Sequence, residues 1–497
     1  MARRSGLRAI PLAAVILTAA CTSTVAGQGS HGPSGTTRSG PPGSANPSTP
    51  ALSTSASGTP SSGTPPGTAT DCSGYAAPDP KRPRMSLDFR VDAGLRSVEG
   101  TENLAFTPDE PITELVFRLT ANSPTTAAQG NGIAVLSASA DHGAGAYRFT
   151  RAGAAASTQG GLLHIPFAAA VPAGTTVQAK ITFRLTLGQG SFDRFGRTNF
   201  QGRDYAWFGS GEPLLAWERG FGWHTEDLVA IPAESATSEA MDVSLRVAAP
   251  ADDTVIMSGD PTNPTTQPGQ RIWSATISTA RDVSVAVGPF QVADSTVNGT
   301  RLRIGSYNTA NRDLQVAVFG RAIRELAARF GPFPYPTLSV ARIPIFGGGI
   351  EYPSAILMLA DGPLVAVHET AHQYFYGMIG NSQAQHPWLD EAFASYAEQL
   401  VNGDPEPPAQ LNIPGTVDRS VQSYGTDETD YFTVTYDKGA AALEAARQAS
   451  GAAAWDRAVR CYVAANAWRI VNPQDLARAL SAFPAGLRIL RRAGALP

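Results

Sequence analysis

The stretch His368-Glu369-Thr370-Ala371-His372 constrains this chain more than any other. On a helix, residues four apart share a face, so the two imidazoles can grip one cation. Glu369, beside the first histidine, is placed to reach a water held by that cation. Eighteen residues separate His372 from Glu391, which sits in Trp388-Leu389-Asp390-Glu391-Ala392-Phe393-Ala394-Ser395-Tyr396. That segment reads as a second helix carrying a carboxylate. His368, His372 and Glu391 would make an open site for one Zn2+ per chain, with the fourth position left for water or substrate. A structural zinc is normally closed by four protein ligands, so the pattern points to catalysis. The competing reading is a solvated helix with two surface histidines. Only seven histidines occur in 497 residues, and an acidic helix follows at a set distance, so the metal reading is preferred.

With 42% hydrophobic residues the chain is long enough for two sizeable cores. A net charge of −4, with no dense basic cluster in the folded part, gives no nucleic-acid signature. No apolar run reaches the length of a membrane span.

Residues 1–20 read as a secretion signal. Arg3, Arg4 and Arg8 form its positive start, a short apolar stretch follows, and it ends at Leu17-Thr18-Ala19-Ala20-Cys21. This ending resembles a bacterial lipobox, although Thr18 stands where such boxes usually carry Leu. The alternative is an ordinary secretory signal cut nearby. Residues 21–81 are dominated by Ser, Thr, Gly and Pro, and cannot bury enough surface to offset their chain entropy. They are expected to form a disordered tether. With Cys21 lipidated, the protein would be extracytoplasmic and anchored to the bacterial cell membrane; without lipid it would be secreted. Besides Cys21 only Cys72 and Cys461 are present. In an oxidising compartment these two either pair, fastening the start of the folded region to its last helices, or stay as thiols, Cys461 as a small buried hydrophobe.

From residue 82 to 292 apolar residues alternate with polar ones, in 85–91, 114–119, 177–187, 242–247 and 283–287. Period two means one buried and one wet face, so an antiparallel β-sandwich or saddle is expected there. Residues 293–497 read as a second, α+β domain. Leu314, Val318, Ile323, Leu326 and Phe330 have helical spacing, and Gly331-Pro332 ends that helix. Residues 338–345 and 355–359 read as strands. Asp361 is expected to cap, and Pro363 to begin, the metal helix, which should run to about residues 377–380. From Lys438 on the pattern is helical. A metal held between two helices of an α+β unit is the thermolysin-like plan.

With these motifs in place, residues 82–490 resemble the aminopeptidase N family of gluzincin zinc metallopeptidases. The His-Glu-x-x-His box, the Trp388–Tyr396 segment and the spacing between them carry the resemblance most strongly. The resemblance implies a zinc aminopeptidase acting on peptide substrates, with Glu369 as general base. That family has a glycine-rich motif ending in a glutamate that binds the substrate's free amino group. Gly348-Gly349-Ile350-Glu351-Tyr352 stands in its place, so Glu351 would take that role beside Gly348 and Gly349. Tyr352 replaces the motif's usual Asn. Thr435-Tyr436-Asp437-Lys438-Gly439-Ala440 resembles the family segment whose tyrosine stabilises the tetrahedral intermediate, which points to Tyr436, with Tyr431 as the fallback. Family members continue into a large helical domain over the active site, whereas this chain ends 61 residues after Tyr436, so a more open cleft is expected. For the family's amine-binding residue on the β domain, Glu212 is a weak candidate and reads better as a turn residue. Two other functions stay open at this level: a gluzincin endopeptidase or other hydrolase, and a zinc-retaining lipoprotein that only binds peptides. Oligomeric state is not legible.

Overall fold

The computed structural model describes residue 72 and residues 74–190, 193–233, 236–309, 312–344, 348–358 and 362–497. The secretion signal, Cys21, nearly all of the tether and Asp361 lie outside these residues.

Alternation builds the first half. In Arg84–Val91 every second side chain is buried, and Met85, Leu87, Phe89 and Val91 face one core. That strand pairs antiparallel with Ser97–Phe106, which continues through Val177–Thr186 to Gly132–Ala140. On its other edge it pairs with Met241–Pro250 in parallel, so the eight-stranded sheet is not wholly antiparallel as expected. The two partners are far apart in sequence, and a long excursion lets the later strand arrive in the same direction as the first. That excursion makes a four-stranded sheet around Ile112–Arg118 and supplies Phe195–Phe200 and Arg203–Gly209 to a second one, which the later strands Thr254–Met257 and Ser284–Gly288 complete. Their apolar faces join the same core, where Phe89 meets Phe183 and Phe208 edge-on at 6.1 and 5.1 Å.

The second half starts with a five-stranded sheet in the order Gln291–Val297, Thr300–Ser306, Thr337–Arg342, Ala355–Met358, Gly349–Tyr352. Helix α1 (Arg312–Phe330) makes the crossover between the parallel strands Thr300–Ser306 and Thr337–Arg342. Gly349–Tyr352 is an edge strand among the described residues, paired antiparallel with Ala355–Met358. Helices α2 (Pro363–Ala371) and α3 (Trp388–Asn402) pack through Val367, Ala371, Ala392 and Phe393, and the ring of Phe375, in the turn after α2, stacks on that of Phe393 at 4.6 Å. After a π-helical segment, Phe432–Lys438, come α4 (Gly439–Ser450) and α5 (Ala452–Ala465).

The tether ends earlier than composition implies. Cys72 is disulfide-bonded to Cys461 on α5, the Tyr75 hydroxyl donates to the Pro332 carbonyl, and the Ala76 amide donates to the Ala464 carbonyl at 2.8 Å. With Arg219 bound to Asp79 at 3.2 Å and to the Lys81 carbonyl at 3.1 Å, these contacts hold the polar segment on the folded body.

Candidate active site

The metal helix is shorter than expected. Gly362, not Asp361, occupies its cap position and supplies no side-chain bond; Pro363 fits the first turn, where its missing N–H is not needed. The helix ends at Ala371. From there the amides of Gly377, Met378 and Ile379 reach carbonyls five residues back, at 2.8, 3.1 and 2.9 Å, and Tyr376 takes a φ of 111°. Buried Arg281 of the β domain stabilises this widened turn by donating to the carbonyls of Tyr376, at 2.8 Å, and Met378, at 3.4 Å. His372 therefore stands at the helix end, yet its amide still bonds the His368 carbonyl at 3.3 Å and both imidazoles keep one face.

On that face α3 brings in Glu391. Its Oε2 lies 3.5 Å from His368 Nε2 and 3.4 Å from His372 Nε2, and the ligand atoms of the three residues fall within 4.8 Å of one another. Two carboxylates missed by the sequence reading orient the rings. Asp390 Oδ1 is 2.6 Å from His372 Nδ1, and Glu398 Oε2 is 3.4 Å from His368 Nδ1, so both Nε2 atoms face Glu391. The signal was available: Glu391 and Glu398 are two helical turns apart on α3. Glu391 Oε2 is buried and makes no hydrogen bond, an acceptor aimed at the point where the imidazole nitrogens converge. Two imidazole nitrogens and a carboxylate suit zinc, so the residues present fit the ion.

Glu351, Glu369 and His372 form a second, overlapping cluster at the same spacing. A Cβ on Gly349 would fall 2.4 Å from Glu369 Cγ, so only glycine lets the edge strand approach the metal helix this closely. Gly348 has open space around it and is exposed. Gln373, also missed, fastens strand to helix: its amide donates to the Tyr352 carbonyl at 3.0 Å and its Oε1 accepts from the Ser354 amide at 2.8 Å. Glu351 is 4% exposed and its Oε1 has no hydrogen-bond partner. Tyr352, in place of the family's Asn, turns into the core over Gly209, with its hydroxyl 3.5 Å from Arg194 Nη1.

Tyr436 stands beside His368, its ring parallel to that imidazole within 4° at 5.8 Å. It belongs to the π-helical segment Phe432–Lys438. Tyr431, the fallback, is fully buried among Val229, Ile231, Val421 and Tyr424. Glu212 does not join the cluster. It is 1% exposed inside the β domain, where its Oε1 accepts from the Val283 amide at 3.1 Å, so the turn-residue reading is corrected to a buried carboxyl.

Burial opposes charge throughout the site. The carboxylates of Glu391 and Glu398 overcome it at His368, pushed up to about 10, and the two imidazoles overcome it at Glu391, held well below the usual carboxylate range. At Glu369 burial wins over the charges of His368 and His372, and its carboxyl is pushed up to about 8. Burial, reinforced by the negative charge of Glu391, pushes the Tyr436 phenol well above its ordinary value, so it remains a neutral donor.

The architecture is the fold of the two-domain M1 zinc metallopeptidases. The M1 zinc metallopeptidase from Deinococcus radiodurans superposes with a TM-score of 0.61 at 21% identity, covering 85% of this chain and 96% of that one. A mutant of the Deinococcus enzyme bound to a Tyr-Ser-Ala substrate gives 0.61 at 20% identity, over 83% of this chain and 93% of that one. In sequence the chain is similar to aminopeptidase M1-B of Oryza sativa subsp. japonica, 25% identical over 235 residues, 39% of this chain and 26% of that protein. Aminopeptidase M1 of Arabidopsis thaliana is 22% identical over 241 residues, 40% of this chain and 27% of that protein. The match thus spans about a quarter of the length of these curated relatives. No family model matches the chain.

Proposed function

We propose that the protein is a zinc-dependent aminopeptidase that removes residues from free N-termini of peptides. One observation carries the reading: the metal set His368–His372–Glu391 and the carboxylate pair Glu351–Glu369 share His372. The names of the similar proteins agree with it. His368, His372 and Glu391 would hold the ion, which when bound polarises the scissile carbonyl and acidifies water. Glu369, whose Oε2 is buried and unpartnered, takes a proton from the attacking water and delivers it to the departing amine. The Tyr436 hydroxyl donates to the oxygen on which negative charge develops. Glu351 anchors the substrate ammonium, an attraction strengthened because little water screens it.

A blocked N-terminus would leave Glu351 unpaired in the complex, at a cost of about 1–3 kcal/mol. Free aminoacyl fluorogenic substrates should therefore be cleaved roughly five- to a hundredfold faster than acetylated ones, with activity abolished by a chelator. The Glu351→Ala variant should be slow and discriminate less between the two. Efficient cleavage of internal bonds in blocked peptides would replace this reading with an endopeptidase.

The Leu17–Cys21 segment supports lipidation of Cys21 and anchoring to the outside of a bacterial membrane. The full chain should partition into detergent and the Cys21→Ala variant should not; equal partitioning would exclude the anchor.

A further inference from the structure

Tyr436 lies in the π-helical segment Phe432–Lys438, whose last residue carries an ammonium placed unusually. Lys438 is 5% exposed, and its Nζ donates to the Ile413 carbonyl at 2.8 Å and to the Gly415 carbonyl. Its partners are thus backbone carbonyls, not a carboxylate. Burying an ammonium has a desolvation cost that an apolar chain of equal length would avoid. What the charge adds is direction, because charge-assisted hydrogen bonds are shorter and stiffer than packing contacts. The same loop touches the segment a second time: Gly415 has a φ of 101°, and a Cβ there would come within 3.3 Å of Val434 Cγ2. A π turn is wider than an α turn and is retained mostly where it re-aims a side chain at a functional site. Here it lays the Tyr436 ring parallel to that of His368.

We propose that Lys438 is a positioning residue for the reaction: its ammonium, clamped on the carbonyls of Ile413 and Gly415, sets the pitch of the π turn and thereby the place of the Tyr436 hydroxyl. This rests on Tyr436 acting as the oxyanion donor. Misplacing a catalytic group by about 1 Å costs up to about a hundredfold in rate.

The test is a double-mutant cycle in the zinc-loaded full chain, with Lys438→Met, Tyr436→Phe and the pair. Lys438→Met should lower kcat roughly ten- to a hundredfold, with KM and zinc content unchanged. In the Tyr436→Phe background it should cost nothing further, since the hydroxyl it places is gone. Lys438→Arg, which keeps donors for both carbonyls, should recover part of kcat. Should Lys438→Met fail to fold, Lys438→Gln, which keeps one donor, is read in the same cycle. Wild-type kcat in Lys438→Met, or losses that multiply in the pair, would overturn the positioning role while the role of Tyr436 stands. Full activity of Tyr436→Phe would overturn both.

Discussion

At the scale of single residues, the site depends on close approaches as much as on ligands. Gly349 and Gly348 are neighbours in one glycine-rich motif, yet only Gly349 has no room for a methyl group. Gly349→Ala should push Glu369 out of place and lower kcat roughly a hundredfold, whereas Gly348→Ala should leave kcat within about twofold. Steady-state kinetics on one aminoacyl substrate decides; equal effects would show that the strand, not the contact with Glu369, is what the motif supplies. Neither distinction was legible in the sequence, where the two glycines are equivalent. Glu398 was legible in principle, because it stands two helical turns from Glu391 on the same face, whereas Asp390, the immediate neighbour of Glu391, points elsewhere on an ideal helix and was not.

At the scale of elements, the strands of the β domain carry acids where alternation calls for apolar residues. Glu102 takes a core-facing position in Ser97–Phe106 and is fully buried, and Glu212 lies close enough for their charges to interact. Burial, with the charge of Asp282, pushes Glu212 up to about 8 from an ordinary 4.5. An acid raised in the folded state binds its proton more tightly there than in the unfolded chain. Its contribution is therefore complete below about pH 4.5 and is lost as pH rises to about 8. Glu212→Gln keeps an acceptor for the Val283 amide but does not titrate. It should match the wild type in stability near pH 4.5, and exceed it by on the order of 1–3 kcal/mol above pH 8. Urea unfolding at both pH values measures this; a variant less stable than wild type at the higher pH would mean that the folded protein holds Glu212 ionised. The π segment shows the same limit of sequence reading. Thr435–Ala440 was recognised as a motif, but nothing local distinguishes a π turn from an α turn until the loop at residues 413–415 packs against it.

At the scale of the whole molecule, the disulfide joins residues 389 apart, Cys72 ahead of the first strand and Cys461 on α5. Closing so long a loop restricts the unfolded chain, and its loss should lower stability by about 2–4 kcal/mol. Since neither sulfur belongs to the site, the Cys72→Ser/Cys461→Ser protein should melt several degrees lower while keeping kcat at 25 °C; unchanged melting would show that the segment around Tyr75 holds by itself. The sequence by itself determined what near neighbours decide: period-two strands, the face shared by His368 and His372, Pro363 opening the helix, and the helix that bears Glu391. Only the tertiary structure decided which strand lies parallel beside Arg84–Val91, where α2 stops, that Gln373 fastens the strand of Glu351 to the metal helix, and which of the two open states Cys72 and Cys461 adopt. The division has a physical cause. Periodicity and capping act over one or two turns of chain. Close approach, buried charge and pairing are set by side chains that meet only once the layers have packed.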